Sequence, residues 1–154
     1  MKVRLYHPHD TAALARLFTD TVHHINKSDY SPEQLAAWAP DPPDMQHWRG
    51  RLSGLIAFMA EHDSEIVGFA TFEPHGHLDH IYIHHRFQRQ GVASMLYRCI
   101  EEEARSRGLS RIHTEASITA RPFFERVGFK VIAPQTVEHR GVAFINYRME
   151  KSLI

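Results

Sequence analysis

The hydrophobic positions change period along the chain, and the changes mark out its elements. Val3 to Tyr6 is a short apolar run closed by Pro8, as a first strand would be. Leu14, Leu17, Phe18, Val22 and Ile25 then recur at helical spacing, with Asp10 placed to cap the helix they define. Ser31-Pro32-Glu33-Gln34 announces a second helix. It has Ser as cap, Pro at the first helical position and Gln three residues after the cap. Leu35 and Trp38 would face inward before the proline-rich stretch Ala39 to Pro43 stops that helix. A third short helical piece through Met45, Trp48 and Leu52 ends near Gly54.

From Ile56 the pattern becomes that of strands. Ile56 to Glu61 and Glu65 to Phe72, separated by His62-Asp63-Ser64, predict an antiparallel hairpin, and Leu78 to Ile83 follows a turn at Pro74 to Gly76. This third strand passes through the turn Gln88 to Ala93 into an amphipathic helix with Val92, Met95, Leu96, Cys99, Ile100 and Ala104 on one face. Glu101 with Arg105 and Glu103 with Arg107 are i,i+4 pairs in the favourable order, and Gly108 supplies the stop. Arg111 to Ala116 is the next strand, Thr119 to Arg126 a short helix, and Phe129 to Ile132 and Ala143 to Met149 are two further strands.

The order β, α, α, β, β, β, α, β, α, β, β predicts an α/β fold. It implies a mixed, mostly antiparallel sheet of about seven strands with helices on both faces. The crossover from Leu78–Ile83 to Arg111–Ala116 should be parallel and right-handed. The 154 residues contain no repeat or linker and fit one domain, residues 1–154.

Charge narrows the partners. With 18 Lys plus Arg against 18 Asp plus Glu, no whole-protein field favours nucleic acid or an acidic membrane surface. No apolar run approaches a membrane span, and MKVRLYHPHD lacks the apolar core of a signal peptide, so a cytoplasmic location is expected. Cys99 is the single cysteine, which excludes intramolecular disulfides and fits a reducing compartment. Thirteen histidines invite a metal, yet His23-His24 and His84-His85 are adjacent pairs, and neither a His-Glu-x-x-His helix nor a cysteine cluster is present; no metal is expected.

The turn before the amphipathic helix has chemistry of its own. The first turn of a helix carries N–H groups without intrahelical partners and the positive end of the dipole. Gly91 there would let an anion approach the main chain, with Arg86 and Arg89 adding charge. A diphosphate is one anion that such a turn could hold mainly by backbone.

Two segments carry a family resemblance. IYIHHRFQRQGVA resembles the strand and [RQ]-x-x-G-x-[GA] loop of the GNAT superfamily of acyl-CoA-dependent N-acetyltransferases, with Gln88, Gly91 and Ala93 at the motif positions. ARPFFERVGF, Ala120 to Phe129, resembles that family's short helix and the glycine turning into the next strand. The order of elements matches over most of the chain, and DYSPEQLAAWAP, Asp29 to Pro40, is similar to the amino-terminal part of bacterial acetyltransferases of the YafP-like kind.

The resemblance implies acetyl-CoA as co-substrate, with its diphosphate on the backbone of Arg89, Gln90, Gly91, Val92, Ala93 and Ser94, next to Gln88. It implies pantetheine along Ile81, Tyr82 and Ile83, where the fourth and fifth strands splay, with Ser117 and Phe124 also against the cofactor. The amino-terminal helices would wall the acceptor site through His23, His24, Tyr30 and Trp38.

Acetyl transfer needs a neutral amine and a stabilised leaving thiolate. His77 and Asp79, two apart on one strand and so on one side unless a bulge intervenes, are the candidate bases. His80, on the opposite parity, is expected to be structural. In the resemblance, His77 falls where the histone acetyltransferase branch carries a glutamate, and His77 and Asp79 where serotonin N-acetyltransferase carries two histidines. The family commonly has a tyrosine acid at the position of Phe124, which has no proton to give. Then the thiolate leaves unaided, or Tyr82 or Tyr147 substitutes, or activity is lost. The expected function is therefore acetyl transfer to a primary amine of a small molecule or peptide. A non-catalytic acyl-CoA-binding sensor is the alternative. A homodimer could form by pairing of an exposed last strand, Ala143 to Met149.

Overall fold

A computed structural model describes all residues from Met1 to Ile154. Seven strands and five α-helices follow in chain order: β1 (Lys2–Leu5), α1 (Thr11–Ile25), α2 (Pro32–Trp38), α3 (Met45–Leu52), β2 (Ile56–His62), β3 (Glu65–Phe72), β4 (Leu78–Ile83), α4 (Val92–Ser106), β5 (Arg111–Ser117), α5 (Arg121–Arg126), β6 (Lys130–His139) and β7 (Val142–Ser152). None of the helices is long and apolar enough to cross a membrane.

Local chemistry accounts for most boundaries. The capping box before α2 is complete: Ser31 Oγ accepts from Gln34 N at 3.1 Å and Gln34 Oε1 accepts from Ser31 N at 2.8 Å. Asp10, in contrast, does not cap α1. It is buried and turned to Arg4 at 2.8 Å, accepting also from His7 N, and the Arg4 guanidinium holds its pKa down at about 2. A closer opposite charge outcompetes the helix end. On α4, Tyr97 is buried with its hydroxyl on Glu101 at 2.9 Å, while Cys99, expected on the buried face, is only half-buried.

The strands divide into two antiparallel sheets, β1-β2-β3-β4 and β5-β7-β6. β4 and β5 run parallel and touch only at the start, through a bridge between His77 and His113, the bond His113 N to Gly76 O at 3.0 Å, and Thr114 Oγ1 to Leu78 O at 2.8 Å. Beyond Leu78 they separate. The expected seven-stranded sheet is thus opened along one seam. β7 lies between β5 and β6, so the expected pairing of Ala143 to Met149 with a second copy has no free edge to use.

Two apolar cores flank the four-stranded sheet. Phe72, Leu78, Ile83, Leu96, Ile100 and Phe124 belong to the one under α4 and α5. Leu14, Phe18, Leu35, Trp48, Phe69 and Phe144 belong to the one beneath α1, α2 and α3. Both cores reach the seam.

Candidate active site

The seam between β4 and β5 opens into a continuous cleft of about 1460 Å³. A pocket for one drug-sized ligand measures roughly 300–1,000 Å³, so this space suits two molecules meeting. Its lining runs from the start of α4 and the face of α5, along β4 and β5, to α1, α2, α3 and the β6–β7 hairpin.

At one end the predicted anion site is present. The first intrahelical bond of α4 is Met95 N to Gly91 O at 3.0 Å, so the N–H groups of Val92, Ala93 and Ser94 have no helical partner. Gly91 has φ +81, and a Cβ there would meet nothing within 4 Å, which leaves its face open to a ligand. Arg89 lines the cleft beside it, whereas Arg86 and Gln90 do not. Gln90 donates to Arg86 O at 3.3 Å, and Gln88 ties the turn to β4 by donating to Ile83 O at 2.7 Å. The donor set fits a diphosphate.

β4 supplies the track. His84 N bonds Val67 O at 2.8 Å. Because antiparallel pairing alternates, Tyr82 and His80 direct their main-chain groups to β3, and those of Ile81 and Ile83 point into the seam. Ile83 O accordingly accepts from Thr21 and Gln88 side chains instead of β3. Tyr82 faces Phe18 and Phe69, and burial pushes its phenol pKa well above the ordinary value. Across the seam, Ser117 Oγ accepts from Ala120 N at 3.0 Å, and Phe124, 2% exposed, lines the wall.

Where the strands diverge, the register contains a bulge: Thr71 pairs with His80 and Phe72 with Leu78, leaving Asp79 as the extra residue. The bulge brings His80 to the same side as Asp79, at 3.4 Å, contrary to the simple parity reading. His80 is partly buried, its side chain 16% exposed, and meets Thr71 Oγ1 at 2.7 Å; desolvation lowers its pKa to about 4, so it is neutral at neutral pH.

His77 does not have the state expected of a base. Burial opposes its charge, but hydrogen bonds to Glu115 at 2.8 Å and Glu73 at 2.6 Å outweigh that and raise its pKa to about 9. At neutral pH the imidazole is already protonated and has no lone pair to offer. Asp79, Arg51, Glu73, His77 and Glu115 form a line of alternating charges, with Arg51 Nη2 2.8 Å from Asp79 and 2.9 Å from Glu73. Asp79 and Glu115 line the cleft and His77 stands behind them.

The remaining expectations divide. Tyr147 lies outside the cleft with the Arg121 guanidinium 4.6 Å from its ring centroid, so it cannot stand in for the missing acid. His23 is also off the lining, its Nε2 on Ala39 O at 2.7 Å. His24 is on the rim, stacked on His85 at 3.9 Å. Trp38 lines the cleft, and Tyr30 lines it while bridging Ile145 O and Ile118 N at 3.0 Å each. The inner face of the β6–β7 hairpin, with Val137, Phe144 and Asn146, escaped the sequence reading. Asn146 Oδ1 is buried without a partner and lines the cleft, where a ligand N–H would satisfy it.

The splayed strands and the open helix end define an acyl-CoA-dependent N-acetyltransferase, and residues 26–151 match the family model described as "Acetyltransferase (GNAT) domain"; the chain belongs to that family. It is 34% identical over 149 residues to the uncharacterised N-acetyltransferase YafP of Escherichia coli (strain K12), covering 97% of this chain and 94% of that protein. The crystal structure of a GCN5-related N-acetyltransferase from Rhodopseudomonas palustris superposes with a TM-score of 0.95 at 32% identity, over 99% of this chain and 95% of that one. PaiA N-acetyltransferase from Thermoplasma acidophilum, solved in complex with coenzyme A, shares the fold at a TM-score of 0.77 and 16% identity, over 99% of each chain.

Proposed function

We propose that the chain moves an acetyl group from acetyl-CoA to a primary amine of a small molecule or peptide by direct transfer, with both substrates bound at once. The observation that carries the reading is the single cleft joining the open first turn of α4 to Asp79 through the seam. Acetyl-CoA would rest its diphosphate on the N–H groups of Val92, Ala93 and Ser94 beside Arg89. Its pantetheine would run along Ile81 and Ile83, pairing with main-chain groups other than the Ile83 carbonyl that Thr21 and Gln88 occupy, between Ser117 and Phe124. The co-substrate supplies the activated acyl group.

This chain's own residues prepare the amine. Asp79 is the carboxylate of β4 that lines the cleft, and it draws the ammonium in and takes its proton, directly or through water. Arg51 orients it, and protonated His77 holds Glu115 and Glu73 in place from behind. A thiol pKa near 8.5 lies close enough to neutral for the thiolate to leave without a side-chain acid, as Phe124 requires. A cytoplasmic setting accords with the single, half-buried Cys99.

Phe124 also favours a second reading, a non-catalytic acyl-CoA sensor. Thiol release from acetyl-CoA, measured against a panel of small amines and amino-terminal peptides, separates the two. Amine-dependent release with an acetylated product supports transfer. Tight acetyl-CoA binding with no release across the panel supports the sensor.

A further inference from the structure

We infer that the acceptor is an apolar primary amine that also carries a carboxylate, and that Arg140 grips that carboxylate; this rests on the acetyl-transfer reading of the cleft. Most charged side chains lining the cleft are already engaged. Asp79 is held by Arg51 and Glu115 by His77, and Asp44 caps α3 by accepting from His47 N at 3.1 Å. Arg89 and Arg126 belong to the α4 and α5 end, where the diphosphate is assigned.

Arg140 is left over. It lines the cleft at the turn of the β6–β7 hairpin and takes part in no ion pair. One N–H donates to Ala37 O at 2.6 Å, which fixes the guanidinium against the end of α2 and leaves the rest of its donor fork free. A fixed fork with free donors suits bidentate recognition of a carboxylate.

The backbone supports the same assignment. Four non-glycine residues have left-handed φ, and Asp63 and Ser64 make the β2–β3 turn; the other two are Arg89 and Arg140, at φ 59 and 47. Both arginines line the cleft. A turn of this hand favours Asn or Gly, so an arginine held there is a strained choice of the kind that persists where function uses it.

The wall near Arg140 sets the rest of the ligand. Trp38 lies edge-on to Tyr30 and Phe144, at 5.2 and 6.1 Å, and His139 edges onto Phe144 at 6.0 Å. Such a surface takes an apolar body, with the amine extending to Asp79 and the carboxylate to Arg140.

Binding can be read without turnover, because the chain's 2 tryptophans, Trp38 and Trp48, both line the cleft. Tryptophan fluorescence titrations on the full chain, with and without coenzyme A, would compare aminohexanoate with hexylamine and aminooctanoate with octylamine. The carboxylate member of at least one pair should bind about 10- to 100-fold more tightly, and Arg140→Gln should erase that margin. Unchanged coenzyme A affinity in the variant shows that it is folded. Equal affinity within both pairs, or none for any probe, overturns the inference, as does a margin that survives Arg140→Gln. Thiol release with the same probes keeps the two readings apart. Equal acetylation with and without the carboxylate sinks only the Arg140 assignment, whereas Arg140-dependent binding with no acetylation supports the site and sinks the transfer reading.

Discussion

Replacing His77 by Gln should remove a proton-linked part of the stability while leaving the shape of the strand end intact. The imidazole sits 2.6 Å from Glu73 and 2.8 Å from Glu115, and its pKa rises from 6.5 to about 9 on folding. A proton held at about 9 instead of 6.5 is bound about 3 kcal/mol more tightly in the folded chain. Glu115 is 41% exposed, so solvent screening trims the figure to about 2 kcal/mol. The sign follows from a raised pKa: the contribution is complete below pH 6.5, declines above it, and is gone once the pH has passed about 9. Urea denaturation of both proteins at pH 6, 7.5 and 9.5, followed by tryptophan fluorescence, measures this. The stability difference between the parent and His77→Gln should shrink by about 2 kcal/mol across the range. Groups titrating equally in both proteins cancel, so a difference that stays constant with pH would refute the charged bridge.

Other outcomes follow from the same geometry. Gly91→Val places a β-branched residue at φ +81, a conformation costing an L-residue about 1–2 kcal/mol, and puts its side chain on the open face; acetyl-CoA affinity by calorimetry should fall at least about 10-fold. Normal affinity would end the loop assignment. Ser31→Ala breaks the reciprocal cap of α2 and should lower unfolding stability by about 1 kcal/mol in urea. Cys99→Ser should leave turnover unchanged, since Cys99 is off the cleft and burial pushes its thiol pKa up; loss of activity would point to an acyl-enzyme instead of direct transfer.

What the sequence discloses is what local chemistry decides. The Ser31 to Gln34 box, the strand–glycine–helix passage through Gly91 and the stop at Gly108 each rest on a few adjacent residues, and each is found. The apolar pattern marks β6 only as Phe129 to Ile132, and Pro134 follows it. As the edge strand of its sheet, β6 tolerates the proline and runs on to His139. The bulge at Asp79 depends on β3, so strand parity alone does not show that Asp79 shares a side with His80. The charge state of His77 depends on Glu115, 38 residues away across the seam. Arg51 and the β6–β7 hairpin enter the site through tertiary packing and carry no motif. The long-range partners, and with them the protonation states, were illegible for that reason.

The most direct test of the account is a comparison of Asp79→Asn with the parent under saturating acetyl-CoA, using the best amine from the thiol-release panel. Asparagine keeps the shape and a hydrogen bond to Arg51 but has no carboxylate to take the ammonium proton. The turnover rate should fall at least about 100-fold, a loss typical of removing a general base, while acetyl-CoA affinity stays within about twofold. A variant that turns over amine at the parent rate would contradict the central claim that the bulged carboxylate of β4 prepares the acceptor for transfer.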